Sequence, residues 1–132
     1  MTRLLHLDRT LDELDGPPWP PPPSPTTNLV TKVYALRRKR LGDLTPADLR
    51  ALITQEVGLP YVLPLAVRLL LNDPLLDAYF YPGDLLLAAF GRPEPAWALF
   101  PDLREQLVAV VADLPEEELA RLRAYGLAGQ WG

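Results

Sequence analysis

Nucleophilic catalysis needs an activated hydroxyl or thiol within reach of a base, and this sequence offers few of the parts. It has no cysteine, one histidine, His6, and one serine, Ser24. Ser24 stands among prolines and His6 in a leucine-rich stretch. Neither reads as catalytic, and His6 reads as a surface or packing residue. The same shortage removes disulfides, thiolate chemistry and Cys/His zinc sites. Carboxylates are more plentiful: Asp73, Asp77, Asp84, Asp113 and the run Glu116, Glu117 and Glu118 are of the type that forms acid–base pairs. Such spacings recur on the solvated helix ends of acidic helical proteins, so a hydrolase is the least supported reading. No cofactor or metal is expected, and the chain does not read as an enzyme.

Two other clusters carry more. Arg37, Arg38, Lys39 and Arg40 form one basic run, which suits phosphate contacts in a DNA-binding regulator or a cationic helix end that complements its dipole. The next helical stretch offers Arg50 and Gln55 for reading bases, and the one after it is almost wholly apolar, which favours the helix-end reading. The second cluster is Tyr79, Phe80 and Tyr81 ahead of Pro82, Gly83 and Asp84, with Asp77 and Asp73 just upstream. Aromatics beside acids are the composition of a binding hot spot for a basic partner. The alternative is that the rings fill the core and Asp84 caps a helix. That alternative suits Phe80 and Asp84 best, and the interface suits a tyrosine best.

These groups must be positioned by helices, because no segment sustains two-residue alternation and helical stripes recur along the chain. The sequence predicts an all-α fold of about six to eight helices in one domain, as 132 residues allow. Residues 1–27 read as an N-terminal amphipathic helix followed by a polyproline linker, and residues 28–132 as the helical domain. Leu4, Leu7, Leu11 and Leu14 share a stripe that predicts a helix over residues 3–14. Gly16 ends it, and seven prolines between Pro17 and Pro25 make a stiff spacer. Such a tract suits either a ligand for an SH3- or WW-like groove or, the favoured reading, a linker that lets the first helix fold back with Trp19 in an apolar pocket.

Asn28 is a candidate N-cap, with Leu29, Val33 and Leu36 on one face and Gly42 closing the element. Thr45, Pro46 and Asp48 spell a capping box with proline at the first helical position, flanked by the staple pair Leu44 and Leu49. A helix from Pro46 to about Gln55 follows. The apolar stretch after Gly58 predicts a central core helix starting near Leu63, because Pro64 biases its predecessor away from helix. Asn72, Asp73 and Pro74 stop it. A short helix with Leu85, Leu86 and Phe90 inward, a turn or two around Trp97 and Phe100, a helix carrying Leu103, Leu107, Val110 and Val111, and a last one opened by Pro115 and ended by Gly126 complete the chain.

The net charge of −4 is segregated. Residues 29–71 hold seven Lys and Arg against three acids, whereas residues 72–132 hold four Arg against ten acids. An acidic C-terminal half steers basic partners and repels nucleic acid and membranes. No signal-peptide core or membrane-length apolar run is present in the sequence, so the expectation is a cytoplasmic protein with neither nucleic acid nor membrane as partner.

Residues 37–86, RRKRLGDLTPADLRALITQEVGLPYVLPLAVRLLLNDPLLDAYFYPGDLL, resemble a family of contact-dependent growth inhibition immunity proteins. The likeness runs over roughly residues 29 to 90 and rests on ordered motifs. They include Leu44, Thr45, Asp48, Leu49 and Arg50, then Gly58, Tyr61, Leu63, Pro64 and Leu65, then Tyr81, Pro82, Gly83, Asp84 and Leu85. Arg40 stands where the family carries proline, and Ala78 with Tyr79 where Gly-Asp precedes the aromatic. The resemblance implies a protein that binds and blocks the C-terminal toxin domain delivered by a neighbouring cell. Many such toxins are nucleases with basic faces, for which Asp73, Asp77, Tyr79, Tyr81 and Asp84 are the toxin-binding candidates.

Overall fold

The computed structural model describes residues 5–17, 19–20 and 27–125. Leu4, most of the proline tract and Gly126 lie outside them. Among the described residues the chain is all-α, with eight helices: α1 (Leu11–Leu14), α2 (Asn28–Arg37), α3 (Pro46–Thr54), α4 (Leu59–Asn72), α5 (Asp84–Phe90), α6 (Glu94–Ala98), α7 (Pro101–Ala112) and α8 (Glu116–Ala124). A 3-10 turn, Leu41–Asp43, joins α2 to α3.

The apolar α4 lies at the centre. It packs on α3, α5 and α7, while α3 also packs on α5 and α2. Val62, Leu63, Ala66, Val67 and Leu70 of α4 are fully buried, together with Leu52 and Ile53 of α3, Leu85 and Leu86 of α5, and Leu107 and Val111 of α7. Each buried Leu or Ile contributes about 1.5–3 kcal/mol relative to remaining exposed. Trp97 is also enclosed, and its indole N–H donates to the Ala89 carbonyl at 3.1 Å, so burial leaves its polar atom satisfied.

Local signals account for several boundaries. Thr45 and Asp48 form the reciprocal capping box, with Pro46 opening α3. The Thr45 hydroxyl accepts the Asp48 N–H at 3.1 Å, and the Asp48 carboxylate accepts the Thr45 N–H at 3.0 Å. Burial pushes the Asp48 carboxyl up, but the Lys39 ammonium at 2.8 Å and the Thr45 donors outweigh it and hold the carboxyl below its ordinary value.

Tertiary contacts move other boundaries. α4 begins at Leu59, one turn before the predicted start near Leu63, and Pro64 stands inside it. Gly58 adopts the left-handed conformation at φ 64° and its carbonyl accepts the N–H groups of Tyr61 and Val62, so the helical ladder starts there. A Cβ at Gly58 would lie 2.6 Å from Leu11, whose side chain is fully buried. Leu11 therefore belongs to the common core. Of the predicted helix over residues 3–14, the described residues from 5 onward are helical over Leu11–Leu14, capped by Thr10. Residues 6–9 make a turn instead, the Arg9 N–H donating to the His6 carbonyl at 3.0 Å, and the turn is pinned to the body by the Leu41 N–H donating to the Arg9 carbonyl and the Gly42 N–H to the Leu7 carbonyl, both at 2.8 Å. The cap of α2 is Thr27, with Asn28 as the first helical residue, and α2 stops at Arg37, well before Gly42. Leu29 is exposed, while Val33 and Leu36 are buried as predicted.

Candidate functional site

Residues 73–83, between α4 and α5, form a closed loop around one carboxylate. Asp84 is the first residue of α5, and its side chain is fully enclosed. Its Oδ1 accepts the Ala78 N–H at 2.7 Å and its Oδ2 accepts the Phe80 N–H at 3.0 Å. Asp84 thus points back into the preceding loop, where the sequence suggested a cap on its own helix. Its place at a helix N-terminus also suits a negative charge. The loop is closed further by bridge pairing of Asp77 with Pro82 and by the Gly83 N–H donating to the Leu76 carbonyl at 3.2 Å. Gly83, at φ 92°, makes the turn into α5; a Cβ there would meet Leu122 at 2.8 Å.

α8 braces the same loop from outside. Arg121 donates to the Pro82 carbonyl at 3.0 Å, and Tyr125 stacks on Tyr81 with ring centroids 4.8 Å apart. Tyr81 is half-buried by this stack. Tyr79 and Phe80 point the other way, with 77% and 61% of their surface exposed, and meet edge to face at 5.0 Å. The core reading of Phe80 is therefore corrected: the loop turns its ring outward because Asp84 takes the backbone N–H of that residue inward. Asp73 and Asp77 are exposed, and Asp77 accepts the Tyr79 N–H at 2.9 Å. Of the five candidates, Asp73, Asp77 and Tyr79 share the surface, Tyr81 contributes part of its ring, and Asp84 works from inside.

Next to the exposed aromatics lies a cleft of ≈ 390 Å³ bordered by Leu29 and Lys32 of α2, Arg50 and Thr54 of α3, and Tyr79 and Phe80. The Arg50 guanidinium sits over the Phe80 ring at 4.4 Å, within cation–π range. Its Nε lies 3.7 Å from Asp84 Oδ2. The sequence singled out Arg50 only as a base-reading candidate and a motif residue, and did not single out Lys32. A signal for this face was present: Ala47, Arg50, Ala51 and Thr54 recur at helical spacing opposite the buried Leu49, Leu52 and Ile53.

Each member of the basic run has an acidic neighbour within the chain. Arg37 is fully buried, donating from Nε to Asp12 at 2.9 Å and from Nη1 to Asp15 at 3.1 Å, with Trp19 stacked 4.2 Å away. Trp19 also meets Tyr34 edge to face. Arg38 lies 3.8 Å from Asp12, Lys39 pairs with Asp48 and Arg40 with Asp43. These cations tie the N-terminal segment and the α3 cap to the body. Among the described residues no group of three or more His, Cys, Asp or Glu side chains is placed to hold a metal ion, and no helix is long and apolar enough to cross a membrane. His6 meets the edge of Tyr61 at 6.0 Å, as a packing residue does.

A family model for CDI immunity proteins matches residues 13–107. The match takes in Arg37 and its partner Asp15, the Thr45–Asp48 capping box, the loop and the cleft; Asp12 and α8 fall outside it. No curated protein and no solved structure matches the chain.

Proposed function

The chain belongs to the CDI immunity proteins, non-enzymatic inhibitors that neutralise a cognate toxin, and on that premise we propose that it blocks its toxin domain in the cytoplasm through the loop of Asp73, Asp77, Tyr79 and Tyr81, shaped by Asp84. CDI here denotes contact-dependent growth inhibition. The observation that carries this reading is the exposure of two adjacent aromatics, Tyr79 and Phe80, on a loop braced by Asp84 inside and α8 outside. Large rings left in water on a rigid support supply interface anchors at low ordering cost. Asp73 and Asp77 beside them suit a basic partner, such as the substrate face of a nuclease, and would speed its approach. A DNA-binding regulator built on Arg37, Arg38, Lys39 and Arg40 finds no support in side chains already engaged within the chain.

Calorimetry between the full chain and the toxin domain encoded immediately upstream, at two salt concentrations, tests the proposal. One-to-one binding that weakens with salt is expected, as is a slower association for Asp73→Lys with Asp77→Lys at low salt. Absence of binding refutes the toxin-binding reading for that domain. Tight binding indifferent to both salt and charge reversal moves the contact off these acids.

A further inference from the structure

The cleft beside Tyr79 has the opposite charge to the acids on the loop. Among the described residues, Lys32 and Arg50 are its only charged lining groups, in a protein whose net charge is −4. Arg50 is held in place by Phe80 on one side and Asp84 on the other, yet its buried Nε has no hydrogen-bond partner among the described residues. A guanidinium fixed in this way has lost its rotamer freedom before any ligand arrives, and its fork matches a carboxylate. Resting on the toxin-binding reading above, we infer that the cleft receives an aspartate or glutamate side chain of the toxin domain. Arg50 and Lys32 take the carboxylate, and Tyr79 and Phe80 cover its methylene stem. Two cations are too few to track a phosphate backbone, and Asp77 beside Tyr79 opposes a polyanion. The paired surfaces also suit a nuclease face, where cations that hold phosphate stand near a carboxylate that serves as base or metal ligand. Asp73 and Asp77 meet the cations, and the cleft takes the acid.

The test is calorimetry of the full chain with the same toxin domain, using Lys32→Gln, Arg50→Lys and Arg50→Gln. Loss of a charge-assisted contact corresponds to about a ten- to hundred-fold weaker Kd for Arg50→Gln, a smaller loss for Arg50→Lys, and a few-fold loss for the exposed Lys32→Gln. Lys32→Gln leaves the fold intact, so it remains informative should Arg50→Gln lower the urea midpoint. In a double-mutant cycle, one toxin Asp or Glu changed to Ala should weaken binding to the parent chain and have little further effect on Arg50→Gln. Parent-like affinity in both Lys32→Gln and Arg50→Gln overturns the cleft assignment while leaving the toxin-binding reading standing. Failure of the parent chain to bind removes that reading and the cleft with it. Heparin retention that Lys32→Gln abolishes overturns the assignment in favour of a polyanion.

Discussion

Replacing Asp84 with alanine should collapse the loop that displays Tyr79 and Phe80. The carboxylate accepts two backbone N–H groups, from Ala78 at 2.7 Å in a buried setting and from Phe80 at 3.0 Å in a half-buried one. A buried bond to a charged acceptor contributes about 1.5–3 kcal/mol, and the second, which water can partly replace, about 1 kcal/mol. The Arg50 side chain loses its counter-charge as well, but at 3.7 Å and partly exposed that adds little. The expected cost is about 3 kcal/mol, a large share of the ~5–15 kcal/mol that holds a domain of this size. Urea unfolding of the full chain, followed by circular dichroism, reads it directly. Asp77→Ala is the internal control, because its one bond to the Tyr79 N–H is exposed and should contribute under about 1 kcal/mol. Toxin affinity should fall in Asp84→Ala even at temperatures where the chain stays folded, since the aromatic pair loses its support. An Asp84→Ala variant no less stable than Asp77→Ala would refute the claim that this carboxylate organises the loop.

Arg37→Leu should destabilise by about 2–4 kcal/mol by urea titration, because it strips Asp12 and Asp15 of their buried partner and Trp19 of its cation; adding Asp12→Asn should recover part of that loss. Thr45→Ala should cost about 1 kcal/mol at neutral pH through the lost α3 cap. Because the folded state holds the Asp48 carboxyl below its ordinary value of 3.8, the carboxylate's contribution is present above pH 3.8 and disappears as pH falls through the lower folded value. The urea midpoint of the parent should therefore exceed that of Asp48→Asn at neutral pH and the two should converge as pH falls below 3.8; a constant gap between them argues against the linkage.

The residues that were legible in advance are those whose structural role is satisfied within one turn. Thr45 and Asp48 exchange hydrogen bonds three residues apart. Asn72 and Asp73 end α4, and Leu85, Leu86 and Phe90 face inward on α5. Each depends on neighbours in the chain, so the sequence by itself determined an all-α fold, most helix boundaries and the stretch in which the exposed aromatics would fall. The family likeness extended that to a class of activity. Tertiary structure decided what is satisfied at a distance. Leu11 reaches Gly58, which sets the start of α4, while backbone pairing with residues 40–42 unwinds the segment ahead of Thr10. Arg37 is buried because Asp12 and Asp15, 25 and 22 residues away, converge on it. Phe80 faces water because Asp84 draws its N–H inward, and Arg50 joins the loop because α3 packs on α5. A hydrogen bond within a turn needs a few residue types in order, but a cleft or a buried charge exists where separate helices bring their faces together, and that packing is a property of the whole chain.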